Sequence, residues 1–386
     1  MKILSGKEFN LLSELISINS VFPNEKEIGD FLFDYLKKSG FKTQKQYLKS
    51  DRKRFNVLAE KGNHDKSILF YGHMDTVPPY GNWTQSPFEL SERNGLLYGL
   101  GVNDMKGGIW AILESVKHHE PVNYNLKIAF GFDEENISKG AFLLCGHEFV
   151  KDVVFAVIPE VGTSSKMDGK KSVILGRRGR ILIEITVPGI SAHGSTAKAG
   201  INAIREAMRL IPHVLKVELL RHPKLGSENI FVKSFHADTS ALAVPDEASF
   251  VLDWHIVSPD NEKSCLEKIN RIIDNLYERG IFKTINDRRI TAKLFPRETP
   301  YLLPYTTDEK NQIVKTFIKA TGRIFGKIPV RYGLSVADEN VFAEKLSIPI
   351  VVSGPYGGCE HHFDEWVEPQ SLLYLRDSFT EFLLSL

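Results

Sequence analysis

Short apolar runs alternate with helical patterns between residues 55 and 160, and this alternation constrains the fold more than any other feature. The runs FNVLAE, SILFYG, KIAFGF and VVFAVI are typical of buried strands. GGIWAILESVKHH and SKGAFLLCGHEFV have helical spacing. Strands that alternate with helices indicate a parallel or mixed sheet covered by helices. We therefore predict a protein of the α/β class.

Histidine and acidic side chains follow the ends of several predicted strands. They are His73, Asp104, Glu135, Glu160 and His361. In α/β sheets, ligands collect outside the carboxyl ends of the strands. Two histidines and three carboxylates suit zinc, cobalt or manganese better than magnesium or calcium, which prefer oxygen throughout. The sequence therefore predicts a metal site.

Two of these strand ends carry a second acidic residue. Asp75 follows His73 by two positions and is well placed to accept from the other ring nitrogen of that histidine, although a solvated turn is the alternative. Glu134 and Glu135 are adjacent, and neighbouring carboxylates repel each other unless a cation or a proton lies between them. One could bind metal while the other acts as a general base; an exposed acidic turn is the alternative.

The loop around Asp104 is rich in glycine, which allows the backbone to fold tightly there. A nucleotide-binding loop is the alternative interpretation, but the glycine spacing matches neither G-x-G-x-x-G nor a Walker loop. A second glycine-rich loop contains His361 and His362, and the pattern leaves open which of the two is a ligand.

The periodicity changes near Gly179. ILIEITV alternates by two, INAIREAMRLIPHVLKV is helical, and NIFVKSF and ASFVLDWHIV resemble strands, followed by a helix in EKSCLEKINRIIDNLY and a strand in RRITAKLF. This order is the βαββαβ, or ferredoxin-like, unit. We predict an inserted domain at 179–295 and a discontinuous catalytic domain at 1–178 and 296–386.

Composition excludes several classes of function. A net charge of +1 over 386 residues disfavours a nucleic-acid-binding surface, which needs a concentrated basic face. No apolar run approaches the ~18 residues of a membrane-spanning helix. Three scattered cysteines are too few for a disulfide framework and favour a reducing compartment. We expect a cytoplasmic protein without a membrane or nucleic-acid partner.

Taken together, the motifs resemble those of the M20 metallopeptidases, a family that includes deacetylases, desuccinylases, carboxypeptidases and aminoacylases. The matching segments are GHMDTVP, GLGVNDMKGG, DEE, GISAH with GINAI, and GP followed by HHFDEWV. The resemblance implies two divalent metal ions per chain, most simply Zn²⁺, with Co²⁺ or Mn²⁺ possible. It also implies hydrolysis of an amide bond in an N-acyl amino acid or short peptide by a water that bridges the metals.

The resemblance assigns metal ligands to particular positions. Asp104 would bridge the two metals, His73 and Glu160 would complete one site, and Glu135 and His361 would complete the other. His361 is favoured over His362 because the family places its ligand four residues before a glutamate, which here is Glu365.

Further roles also follow from the resemblance. Glu134 would be the general base and Asp75 the carboxylate that orients the metal-binding histidine. The inserted domain would act as a lid and a dimerisation surface, and its His193 would reach the active site of the partner subunit across a homodimer.

Two positions depart from the family pattern. Leu242 replaces a usual asparagine and His255 a usual arginine, both of which commonly hold the carboxylate of the substrate. Three arginines near the domain junction could supply charge instead, although we favour a solvated basic hinge; they are Arg177, Arg178 and Arg180.

Two other classes of function compete with the hydrolase. A catalytically inactive M20-like binding protein is disfavoured because all five ligand candidates and the candidate base are present. A nucleotide-dependent enzyme is disfavoured by the glycine spacing.

Overall fold

A computed structural model describes residues 7–161, 172–238 and 242–386. The chain divides into two units. The first contains the residues up to Gly176 together with Thr306–Gly333 and Ala337–Leu386, and the second contains Arg177–Tyr305 and Leu334–Val336. The predicted domain boundaries at 179 and 295, and a separate function for this domain, stay predictions.

The α-helices of the described ranges are, in chain order, α1 (Asn10–Ser17), α2 (Lys26–Lys38), α3 (Lys106–Val116), α4 (Lys139–Cys145), α5 (Ala203–Val214), α6 (Glu262–Glu278), α7 (Gln312–Phe325), α8 (Glu339–Leu346) and α9 (Pro369–Leu384). Short 3₁₀ helices occupy Glu148–Val150 and Gly194–Ala199.

The strands of the same ranges are β1 (Lys42–Leu48), β2 (Asp51–Lys61), β3 (Ser67–His73), β4 (Ser91–Arg93), β5 (Leu96–Tyr98), β6 (Asn125–Gly131), β7 (Val153–Ile158), β8 (Val173–Arg177), β9 (Gly179–Pro188), β10 (Arg221–His222), β11 (Gly226–Ser227), β12 (Asn229–His236), β13 (Glu247–Ile256), β14 (Thr291–Leu294), β15 (Tyr305–Thr306), β16 (Val330–Gly333), β17 (Ile350–Val352), β18 (Gly357–Gly358) and β19 (Trp366–Val367).

The large sheet has the strand order β1-β2-β6-β3-β7-β17-β8-β15, with β16 paired to β8. Its four central strands, β6, β3, β7 and β17, run parallel to one another. The flanking β1, β2 and β8 are antiparallel to their neighbours. The α/β class and the mixed sheet predicted from the sequence are confirmed.

Continuous apolar runs become the central strands because those strands are covered on both faces. Every residue of β3 and β6 is buried, and α3 is buried almost throughout its length. Helix α9 packs against α3 and α7, and its Phe379 ring meets Phe70 of β3 edge-on at 5.3 Å between centroids. These buried parallel strands therefore support the loops that follow their carboxyl ends.

The second unit contains an antiparallel sheet with the order β12-β13-β9-β14. Its elements follow the chain order β9, α5, β12, β13, α6, β14, interrupted by the β10–β11 hairpin. Burial alternates along β9, as the period of two in ILIEITV predicts. Helices α5 and α6 pack on this sheet around a core that includes Ile183, Phe250 and Trp254.

Among the described helices, none combines the length and the apolar character needed to cross a membrane.

Candidate metal centre

Three neighbouring parallel strands end at the same edge of the large sheet. His73 is the last residue of β3 and lies opposite Gly131, the last residue of β6. Glu134 and Glu135 follow β6 within four residues, and Glu160 follows β7 by two. Because parallel strands present their carboxyl ends together, side chains far apart in sequence meet here.

His73 contacts two carboxylates at this edge. Its Nε2 lies 3.1 Å from Asp104 Oδ1 and 3.2 Å from Glu160 Oε2, and its side chain is almost fully buried. Burial alone would lower the pKa of His73, but the contacts with Asp104 and Glu160 outweigh burial and raise it well above the ordinary value. These three side chains form one half of the site.

His361 contacts the second pair of carboxylates. Its Nε2 lies 3.0 Å from Glu135 Oε2 and 3.5 Å from Asp104 Oδ2. Those two contacts raise the pKa of His361 to about 11 against the opposing effect of burial. Asp104 thus directs one carboxylate oxygen toward each histidine.

The position of His362 differs from that of its neighbour. The His362 ring packs on Phe363 with 4.2 Å between centroids. The structure therefore brings His361, and not His362, beside Glu135 and Asp104.

The donor atoms are compatible with a metal. One ligand atom from each of His73, Asp104 and Glu135 lies within 4.8 Å of the others. Nitrogen and oxygen donors at such spacing suit zinc and its neighbours in the first transition row. Since Asp104 is shared by both halves, the arrangement fits two ions with a common carboxylate.

Glu134 lies beside this group without contacting either histidine closely. Burial is the main cause that raises the pKa of Glu134 well above its ordinary value; His73 acts in the opposite direction, and the nearby Glu135 and Asp338 add to the rise. A carboxyl group next to a metal site can accept a proton and return it.

Asp75 does not contact His73 in the way the sequence predicted. The His73 Nδ1 lies 2.9 Å from the backbone carbonyl oxygen of Asp75, whereas the carboxylate Oδ1 is 3.8 Å away. The Asp75 carboxylate instead accepts the backbone N–H groups of Glu134 at 3.2 Å and Glu135 at 2.9 Å. It therefore holds the turn that carries both glutamates, and the expectation of a direct carboxylate contact is corrected.

A buried ion cluster that sequence reasoning missed supports the same turn. Arg54 donates to Glu25 from Nη2 at 2.5 Å and from Nε at 3.1 Å, and to Asp133 Oδ1 at 2.9 Å. Asp133 in turn accepts the backbone N–H of Ser138 and of Lys139. Arg54 lies in the run DRKRF, which carries no pattern that distinguishes it from exposed arginines.

Glu365 is the second residue whose contacts the sequence did not reveal. Its carboxylate accepts the backbone N–H groups of Gly101, Asn103 and Asp104. Burial and the negative charge of Asp104 raise the pKa of Glu365, while the three backbone donors favour its ionised form.

His193 belongs to the second unit. Its side chain is exposed, and its Nδ1 accepts the backbone N–H of Ser195 at 3.2 Å and lies 2.7 Å from the hydroxyl of the same residue. An Nδ1 that accepts leaves the proton of a neutral ring on Nε2. Its predicted role at a partner's active site stays a prediction.

The expectation of a solvated basic hinge is wrong for Arg177, which is only 4% exposed and donates to Ser335 at 2.7 Å. Arg180 binds Asp253 through two nitrogens, at 3.0 and 2.5 Å, so its charge is compensated. Arg178 donates to the carbonyl of Leu225 at 3.0 Å. These contacts occur because residues distant in sequence fold over the arginines.

The two departures from the family pattern also lie in the second unit. The Leu242 side chain is among the most exposed apolar groups described, at 86%. His255 Nε2 lies 3.6 Å from Asp253 Oδ1. Burial lowers the pKa of His255, so it is a weaker cation than the arginine it replaces.

The sequence of this chain is similar to those of known proteins. The model of peptidase family M20/M25/M40 matches residues 69–385. A probable succinyl-diaminopimelate desuccinylase of Staphylococcus aureus (strain N315) is 25% identical over 421 residues, which cover 99% of this chain and 98% of that protein.

Two solved structures share the fold. An M20 family metallo-carboxypeptidase from Sulfolobus solfataricus has a TM-score of 0.78 at 19% identity, with 98% of each chain covered. A dinuclear metal binding peptidase from the M20 family of Bacillus subtilis has a TM-score of 0.71 at 17% identity, with 98% of this chain and 97% of that chain covered.

The fold and the grouped histidines and carboxylates are those of a metal-dependent amidohydrolase. The chain belongs to peptidase family M20/M25/M40. The family predicted from the motifs, and the class of metallopeptidase and deacylase that it implies, are confirmed.

Proposed function

We propose that this protein is a two-metal hydrolase that cleaves the amide bond of an N-acyl amino acid or a short peptide. One observation carries the proposal: Asp104 lies between two histidine–carboxylate pairs and points one oxygen toward each histidine. In this assignment His73 and Glu160 complete one metal site, and Glu135 and His361 complete the other. Zn²⁺ is the favoured ion, with Co²⁺ and Mn²⁺ as alternatives.

Divalent metal held by these residues would supply an acidified water as the nucleophile and a Lewis acid for the amide carbonyl. Glu134 would accept a proton from the attacking water and give it to the leaving amine. Asp75 keeps Glu134 and Glu135 in place through their backbone N–H groups. The products are a carboxylic acid and a free amine.

Assembly and location are part of the same proposal. The family resemblance implies a homodimer formed through the second unit, with His193 stabilising the oxyanion in the partner subunit's active site. The scattered cysteines support a cytoplasmic location.

The substrate class is open to a direct test. N-acetyl and N-succinyl amino acids and dipeptides would be assayed with zinc, cobalt or manganese added to the metal-free protein. We expect metal-dependent release of a free amine from at least one series. Metal binding without hydrolysis of any of them would favour an inactive binding protein instead.

Specificity for the α-carboxylate can be measured in the same assay. Leu242 and His255 replace residues that commonly hold this group, and the charge of Arg180 is compensated by Asp253. We therefore expect weak dependence of kcat/KM on a free carboxylate. A loss above ~100-fold, or ~2.7 kcal/mol, for the C-terminal amide of a good substrate would contradict this part of the proposal.

A further inference from the structure

We propose that Glu365 is a positioning residue that holds the loop carrying Asp104 and links it to the loop carrying His361. Its side chain is 2% exposed. Oε2 accepts the N–H of Gly101 at 2.6 Å, and Oε1 accepts those of Asn103 at 2.8 Å and Asp104 at 2.9 Å. This assignment rests on the proposed function, because it concerns how the shared ligand is held.

The strand pairing places Glu365 at the base of the Asp104 loop. Strand β19 begins one residue after Glu365 and pairs antiparallel with β5, with Trp366 opposite Tyr98. The backbone N–H of Gly99 also donates to the Glu365 carbonyl at 3.2 Å. Because the loop leaves β5 beside the start of β19, the Glu365 side chain reaches the backbone of the loop.

The loop is shaped so that its amides point at one acceptor. Gly101 has a φ of +76°, a conformation that glycine adopts without steric cost. Three consecutive or nearly consecutive N–H groups then converge on a single carboxylate. Hydrogen bonds from backbone amides to a carboxylate are among the stronger hydrogen bonds in proteins. An apolar residue in place of Glu365 would leave these buried N–H donors unpaired.

Movement of the loop that carries Asp104 would affect the whole metal centre, because Asp104 is the shared ligand. Asp104 directs its two oxygens toward different histidines, so a displacement of its backbone changes both halves of the site. His361 precedes Glu365 by four residues, and Glu365 therefore connects the loops that supply Asp104 and His361. Residues that orient metal ligands typically contribute 10–100-fold to metal affinity or activity, and we expect Glu365 to act at this scale.

Glu365→Gln is the direct test. An amide offers only one acceptor oxygen and turns an NH₂ group toward a backbone N–H, so two donors would face each other. Zinc affinity would be measured by competition with a chelator, and kcat and KM at saturating zinc. We expect ~10–100-fold weaker zinc binding and a lower kcat with little change in KM.

Asp364→Asn is the matched control. Asp364 lies on the same loop but accepts from Thr84 and Arg93, away from the Asp104 loop. We expect wild-type zinc affinity for this variant. Glu365→Asp keeps both acceptor oxygens on a shorter side chain, and we expect an affinity between those of the wild type and Glu365→Gln.

The outcomes separate this inference from the proposed function. If the wild type binds two zinc ions and Glu365→Gln binds them equally tightly, the positioning role is wrong while the proposed function stands. If Glu365→Gln does not fold, Glu365→Asp decides: zinc affinity equal to that of Asp364→Asn overturns the role. A wild type that binds no zinc, cobalt or manganese would end the proposed function and this role with it.

Discussion

The carboxylate of Asp75 accepts the backbone N–H of Glu135 at 2.9 Å, while the carbonyl oxygen of Asp75 contacts the His73 ring. Asp75→Asn should therefore disturb the turn with Glu134 and Glu135 and leave the ring contact of His73 intact. We expect ~10–100-fold weaker metal binding at the site of Glu135 and His361. Metal titration of the variant measures this loss. Selective loss of metal binding at the site of His73 would show that the Asp75 carboxylate orients His73.

Glu134 should be required for turnover and not for metal binding. Glu134→Gln keeps the shape of the side chain but removes the group that accepts a proton. We expect two metals per chain and a kcat lowered by at least ~100-fold. Steady-state kinetics with metal analysis of the same sample checks both. Glu148→Gln, at the exposed first residue of a 3₁₀ helix, serves as the control. Near-wild-type turnover of Glu134→Gln would reject the assignment.

Arg54 should matter more for stability than exposed basic residues do. Its side chain lies between Glu25 and Asp133, which are 1% and 0% exposed. Arg54→Met would leave two buried carboxylates without their cation, and we expect a loss of ~3–5 kcal/mol in the free energy of unfolding. Urea denaturation of the metal-free protein measures it. The control is Lys26→Met, which removes an exposed ion pair with Asp30 and should change the free energy of unfolding little. Equal losses in the two variants would contradict a special role for Arg54.

The lowered pKa of Asp152 predicts that the stability of the fold depends on pH. Burial alone would raise the pKa of Asp152, but hydrogen bonds from Lys127 and Ser67 outweigh burial and lower it. A carboxylate with a lowered pKa stabilises the fold above its unfolded pKa, near ~3.9, and this contribution disappears as the pH falls through the folded value. Asp152→Asn should thus be less stable than the wild type at neutral pH, and the difference should shrink below about pH 4.

Unfolding free energies measured between neutral and acidic pH test this expectation. Asp65→Asn, at an exposed bend, provides the comparison for loss of a carboxylate without buried partners. A difference between Asp152→Asn and the wild type that stays constant down to acidic pH would show that the ion pair with Lys127 does not stabilise the fold.

The strand-end residues could be predicted to lie together because a general rule connects sequence to space. His73, Glu135 and Glu160 each follow an apolar run, and parallel strands present their carboxyl ends at one edge. The fold class follows from the same alternation. Their roles as ligands depend on bound metal and stay a proposal.

The supporting contacts could not be predicted, because nothing local in the sequence specifies them. Glu365 and Gly101 are 264 positions apart, and Arg54 and Asp133 are 79 apart. The sequence favours a solvated Arg177, whereas the structure buries this residue beside Ser335, 158 positions away. Pairings of this kind arise only when the tertiary structure is complete.

We propose that Asp104 is shared by two catalytic metal ions. The most direct measurement is a zinc titration of the metal-free protein in which bound metal, by elemental analysis, and amide hydrolysis are followed together. We expect activity to saturate at about two zinc ions per chain and Asp104→Ala to retain neither ion. Full hydrolytic activity without bound metal, or two tightly bound zinc ions in Asp104→Ala, would contradict this proposal.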